Sequence, residues 1–139
     1  MYEYKAKIIS VYDGDGAFDA LIDLGMKITI ERPIRLNGVD TPEIRGEQHD
    51  AGIVVRDYVR SLILGKEVLI YTYKDHSGKY GRLLADIMVK IDGYSGWQYL
   101  SDLLINKGYA KPYNGGKKEE WDKEELDYIV KSAKNFDDF

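Results

Sequence analysis

The chain has 139 residues, enough for one domain with a core of its own and too few for two comfortable ones, so a single domain over residues 1–139 is expected. A hydrophobic fraction of 44% and a charged fraction of 32% are those of a globular protein rather than a disordered one, and the absence of cysteine excludes disulfides, thiolate metal sites and a cysteine nucleophile. The net charge of −4 argues against tight nonspecific binding to nucleic acid, yet residues 117–139 alone carry five Lys against eight Asp or Glu, so most of the excess sits in the tail.

The opening MYEYKAKIIS has neither the basic region nor the apolar run of a secretory signal, which makes a cytoplasmic location the expectation; a processed secreted form would look the same. Tyr4, Ala6, Ile8 and Ser10 alternate with Lys5, Lys7 and Ile9, the period of a strand. After DGDG at 13–16, Phe18, Ala20, Ile22 and Leu24 alternate with Asp19, Leu21 and Asp23 as a second strand, and Gly25 turns the chain into a third over Lys27–Leu36. From residue 48 to 64 the period changes to that of a helix, with Ala51, Val55, Val59, Leu62 and Ile63 on one face and Gly65 closing it.

Two further strands are predicted at Glu67–Lys74 and Arg82–Ile91, separated by the polar loop DHSGKYG. Trp97, Leu100, Leu103 and Leu104 predict a second helix ending at Gly108, and Trp121, Leu126, Ile129, Val130 and Ala133 a third, with NGG at 114–116 between them. Residues 135–139 are expected to fray. The fold class implied is α+β: a five-stranded antiparallel β-barrel of the OB-fold type packed with three α-helices.

Three segments carry the chemistry: DGDG at 13–16, RLNGVDTPE at 35–43 and KYGR at 79–82. DGDG reads either as a solvated turn or as the source of a metal-binding carboxylate, Asp15; an EF-hand is ruled out because Phe18 and Leu24 fall where that loop needs Gly and Glu. In VDTPE, Pro42 stiffens the backbone around Asp40, Thr41 and Glu43, which suits positioned ligands, although Asp40 and Glu43 also have the spacing of a helix capping box. Arg35 and Arg82 read either as surface ion pairs or as two guanidiniums converging on one phosphate. Acceptor oxygens and permanent cations in a chain without cysteine suit a hard metal ion facing a phosphodiester.

In this order, DGD, RLNGVDTPE and KYGR resemble the staphylococcal nuclease (thermonuclease) family from about Lys5 to Ala110, with a weaker likeness beyond Pro112. The resemblance implies a Ca²⁺-dependent endonuclease that hydrolyses the 5′-O–P bond of DNA and RNA and leaves 3′-phosphate ends. It implies Asp15 and Asp40 as carboxylate ligands of Ca²⁺ with the carbonyl of Thr41, Glu43 as the residue orienting or deprotonating water, and Arg35 and Arg82 as phosphate-binding catalytic residues. Lys79 and Tyr80 would contact a terminal phosphate, and Tyr113 would supply a stacking wall. The expected substrates are single or breathing strands bound by a monomer, with no membrane partner. The alternative is a noncatalytic SNase-like module binding nucleic acid or peptide.

One departure stands beside Asp15. Family members usually follow DGD with threonine, whereas Gly16 and Ala17 here add a residue, which predicts a β-bulge at that point and the loss of a supporting hydroxyl. His49 and His76 read as solvated, and Trp97 and Trp121 as core or interhelical packing.

Overall fold

The computed structural model describes residues 2–77 and 83–137. Among the described residues, eight strands and three α-helices follow one another as β1 (Tyr2–Val11), β2 (Phe18–Asp23), β3 (Thr29–Leu36), β4 (Val39–Asp40), α1 (His49–Ile63), β5 (Glu67–Ser77), β6 (Leu83–Lys90), β7 (Trp97–Tyr99), α2 (Leu100–Lys107), β8 (Lys111–Pro112) and α3 (Lys123–Asp137). The large sheet runs β3-β2-β1-β5-β6-β7, and a β3–β6 pairing closes its first five strands into a barrel. Every pairing is antiparallel except that closure, where Ile34–Leu36 lie parallel to Leu83–Ala85. The barrel is therefore mixed rather than wholly antiparallel.

The core is the set the alternation selects, with Ala6, Ile8, Phe18, Ala20, Ile22, Ile34 and Leu36 all buried. Parity slips once. After Ile8 the next buried residue of β1 is Val11 rather than Ser10, because Ile8 pairs with Ala20 and Ser10 with Asp19, leaving Ile9 as an extra, exposed residue. The bulge expected at Gly16–Ala17 is thus on the opposite strand, where it lets Ile8 and Val11 both face inward. Residues 12–17 instead form the open β1–β2 connection, with Ala17 in the left-handed region at φ 53.

Leu24, expected inward, is exposed at the β2–β3 turn, where β2 has already ended at Asp23. Trp97, expected in the second helix, belongs to β7: its partner is Lys90, and the lysine ammonium lies 5.0 Å from the indole centroid. The turn before it, with positive φ at Gly93 and Gly96, reverses the chain onto the open edge of β6. Trp121 precedes α3, which spans Lys123–Asp137. Its start is a reciprocal capping box, in which Glu125 N donates to Asp122 Oδ1 (2.8 Å) and Asp122 N to Glu125 Oε1 (3.0 Å).

Helix α1 buries Ala51, Gly52, Val55, Val59 and Ile63. Gly52 is the point of closest approach, since a Cβ there would lie 2.1 Å from the carbonyl oxygen of Glu43. The helix therefore presses directly on the VDTPE backbone. In an exposed helix Gly→Ala gains up to about 1 kcal/mol, but here the contact must open. Gly52→Ala is expected to destabilise the protein by about 1–3 kcal/mol in urea or thermal unfolding, the usual cost of overpacking.

Candidate functional site

The β1–β2 connection folds around its own aspartates. Asp13 Oδ1 accepts from Gly16 N (2.7 Å) and Asp15 N (3.2 Å), an Asx-type turn, while Gly14 packs so closely on α1 that a Cβ would lie 2.6 Å from Val55 Cγ1 and 3.0 Å from Thr41 Oγ1. This brings Asp15 inward, to 7% exposure. Its main-chain oxygen accepts from Leu36 N at 2.7 Å, its Oδ1 lies 3.1 Å from Arg35 Nη1, and its Oδ2 accepts from Thr41 N at 2.9 Å.

Arg35 stands near the end of β3, with Nη1 3.5 Å from Asp15 O and Nη2 3.4 Å from Val39 O. Asn37 ties the following turn to β6, through its amide N–H to Ala85 O (2.8 Å) and its side chain to Asp86 Oδ1 (3.1 Å). Gly38, at φ 85, then reverses the chain into β4, where Asp40 pairs with Lys111. No helix begins at Asp40, so the capping-box reading of VDTPE falls and the stiff turn stands. Thr41 and Pro42 are buried, and Glu43 N donates to Gln48 Oε1 at 2.8 Å while its carboxylate is largely exposed.

Asp40 is 5% exposed, and its Oδ1 has no hydrogen-bond partner among the described residues. Lys118 Nζ lies 3.2 Å from it without the geometry of a hydrogen bond, and 3.9 Å from Glu43 Oε1. Partial burial works against the lysine charge, but Asp40, then Asp15 and Glu43, outweigh it and hold its pKa above the usual value. Lys118 arrives on a strap laid along β4. Val39 pairs with Pro112, Tyr113 N donates to Gly38 O (2.9 Å), and Tyr113 OH donates to Gly116 O (2.9 Å). The Tyr113 ring has Arg35 Cζ 5.9 Å and Lys118 Nζ 5.6 Å from its centroid.

One surface region thus joins two buried aspartates, a glutamate on a stiff turn, a guanidinium and an aromatic ring. A family model described as staphylococcal nuclease homologue matches residues 33–136. The chain belongs to that family. No curated protein matches it. The matched span begins within β3 and continues through most of α3, so it covers the C-terminal region where the likeness seemed weaker and leaves the Asp13–Asp15 loop outside.

Of the residues the resemblance singles out, Asp15, Arg35, Asp40, Thr41, Glu43 and Tyr113 come together; Lys79, Tyr80 and Arg82 lie outside the described residues. Among the described residues no three His, Asp or Glu side chains gather closely enough to hold a metal by themselves. Two carboxylates and one carbonyl, completed by water, remain a sufficient set for a cation that accepts irregular oxygen cages. The buried Asp40 oxygen, whose charged neighbour is the half-exposed Lys118, fits such a cation, since a buried charged acceptor without a hydrogen bond is costly.

Two members of the site were not singled out from the sequence. Lys118 lies in a polar run with nothing to distinguish it from Lys117. Asp13 was visible in DGDG but passed over in favour of Asp15. Burial first, then the charge of Asp15, push the Asp13 carboxyl up to about 6 from its ordinary value of 3.8, against the lowering effect of the Gly16 and Asp15 N–H groups. A raised carboxyl pKa means that the folded state holds the proton more tightly than the unfolded chain, a contribution complete below about pH 4 and lost as the pH rises through about 6. In chelator, Asp13→Asn is therefore expected to stabilise the protein by about 1–2 kcal/mol at pH 8 and by almost nothing at pH 3.5, read from urea titrations at the two pH values.

Proposed function

We propose that the protein is a Ca²⁺-dependent phosphodiesterase that hydrolyses the 5′-O–P bond of DNA and RNA and leaves 3′-phosphate ends. The observation that carries this reading is the buried Asp40 Oδ1, without a hydrogen bond, beside the buried carboxylate of Asp15 and the exposed one of Glu43. The donors are all oxygen, which favours a hard cation over a thiophilic one. Asp15, Asp40 and the Thr41 carbonyl would hold Ca²⁺, and the ion would supply positive charge where the phosphate gathers negative charge.

The side chains divide the remaining work. Glu43, on a backbone fixed by Gln48 and by the close approach of Gly52, orients a water molecule and accepts its proton. Arg35 is held by Asp15 and two main-chain oxygens, contacts that engage at most three of its five N–H donors and leave others for a phosphate oxygen. Arg82 adds a second guanidinium, and Lys79 and Tyr80 a grip on a terminal phosphate, by their match to the family motif. Tyr113 presents a face on which a base can stack, a contact that suits unpaired strands.

A second reading, a noncatalytic SNase-like module binding nucleic acid or peptide, is favoured by one observation: Lys118 already neutralises part of the acidic cluster. The two readings separate in an assay of single-stranded DNA, duplex DNA and RNA with Ca²⁺ or with chelator. Cleavage that needs Ca²⁺, with a kcat lowered about 100-fold or more in Glu43→Gln at unchanged Tm, is the expected result. Equal cleavage in chelator would overturn the metal assignment, and binding without hydrolysis in any divalent metal would favour the module.

A further inference from the structure

The amine of Lys118 lies against Asp40, one of the carboxylates that would hold the metal ion, on the side that faces Glu43. Its distances of 3.2 Å to Asp40 Oδ1 and 3.9 Å to Glu43 Oε1 put it on a buried oxygen that has no hydrogen-bond partner among the described residues. The other buried carboxylate is otherwise engaged, Asp15 being shared between Arg35 and Thr41 N. Lys118 is thus the cation on the open side of the cluster. Its side chain is 46% exposed, so it has somewhere to go.

The strap is built to deliver it. Residues 111 and 112 pair with β4, Tyr113 bonds to Gly38 and Gly116, and Gly116 N donates to Asn114 Oδ1 at 3.2 Å, closing the turn before the lysine. On the far side Lys111 Nζ donates to Glu120 O (2.7 Å) and Glu125 Oε1 (2.9 Å), anchoring the strap to the start of α3. The backbone on either side of Lys118 is fastened, while its side chain is a flexible four-carbon stem.

We propose that Lys118 is a tethered competitor of the metal ion: it occupies the Asp40–Glu43 side of the site in the metal-free protein and must swing out for a divalent cation to bind. The proposal rests on the metal reading of the site given above. Two cations cannot share Asp40 Oδ1 without strong repulsion. The apparent metal affinity is therefore lowered by the fraction of molecules in which the lysine holds the site. In return the ammonium relieves the repulsion among Asp15, Asp40 and Glu43 when no metal is present. Linkage requires the reciprocal effect, that bound metal releases Lys118.

Two measurements test this. Calcium titration by calorimetry compares the wild type, Lys118→Met, which keeps an apolar stem without the charge, and Asp40→Asn. Lys118→Met is expected to bind Ca²⁺ about tenfold more tightly, and to lower the Tm in chelator but not in saturating Ca²⁺; Asp40→Asn is expected to lose the binding. In the wild type itself, acetylation of Lys118 by acetic anhydride, followed by mass spectrometry, is expected to speed up when Ca²⁺ is added. Equal or weaker binding by Lys118→Met while the wild type binds, or acetylation indifferent to bound Ca²⁺, overturns the competitor role and leaves the metal reading standing. Binding by neither the wild type nor Lys118→Met overturns the metal reading, and this proposal with it.

Discussion

Asp15 ties the β1–β2 connection to both ends of the segment from Arg35 to Thr41, about 20 residues further along the chain. Through Oδ1 it holds Arg35 of β3, through Oδ2 it holds the amide of Thr41 on the stiff turn, and through its own carbonyl it receives Leu36 N. Charge-assisted bonds of this kind are shorter and stronger than neutral ones, and at 7% exposure water competes little for them. The distance between the β1–β2 connection and the Pro42 turn is set here, and with it the placing of Asp40 and Glu43. The close approaches of Gly14 to Val55 and of Gly52 to the Glu43 carbonyl lock the same region from the α1 side.

An acidic cluster on an acidic protein needs local compensation. Asp13, Asp15, Asp40 and Glu43 lie in two short segments, and the cations that answer them come from elsewhere: Arg35 from β3 and Lys118 from the strap before α3. Burial first, and the charge of Asp15 second, hold the Asp13 carboxyl above the usual carboxylate range. Such a cluster is electrostatically loaded, and Arg35 and Lys118 relieve part of the load.

The segment beyond Pro112, where the sequence likeness to the family is weaker, is structurally tied in through the strand that precedes it. β8 pairs with β4, Tyr113 places its ring against Arg35, and Lys111 links the strap to Glu125, which also caps α3. The family match runs through this region, as its contacts with the site would require.

By itself the sequence determined the barrel and its helices, because period-two and period-3.6 patterns are written residue by residue and Ala6, Ile8, Phe18, Ala20, Ile22, Val55, Val59 and Leu104 had only to be counted. It also pointed to the family, since DGD, RLNGVDTPE and KYGR are short contiguous motifs. Where the bulge falls was decided by the tertiary structure: pairing both Ile8 and Val11 inward is a property of two strands together, and Ile9 carries no mark of it. So was the fate of Trp97, which helical spacing placed in α2 and an open strand edge drew into β7. Lys118 is the clearest case. Its role follows from a distance of 3.2 Å to a residue 78 positions earlier, and charge acts through space, whereas sequence patterns record only what neighbours along the chain require.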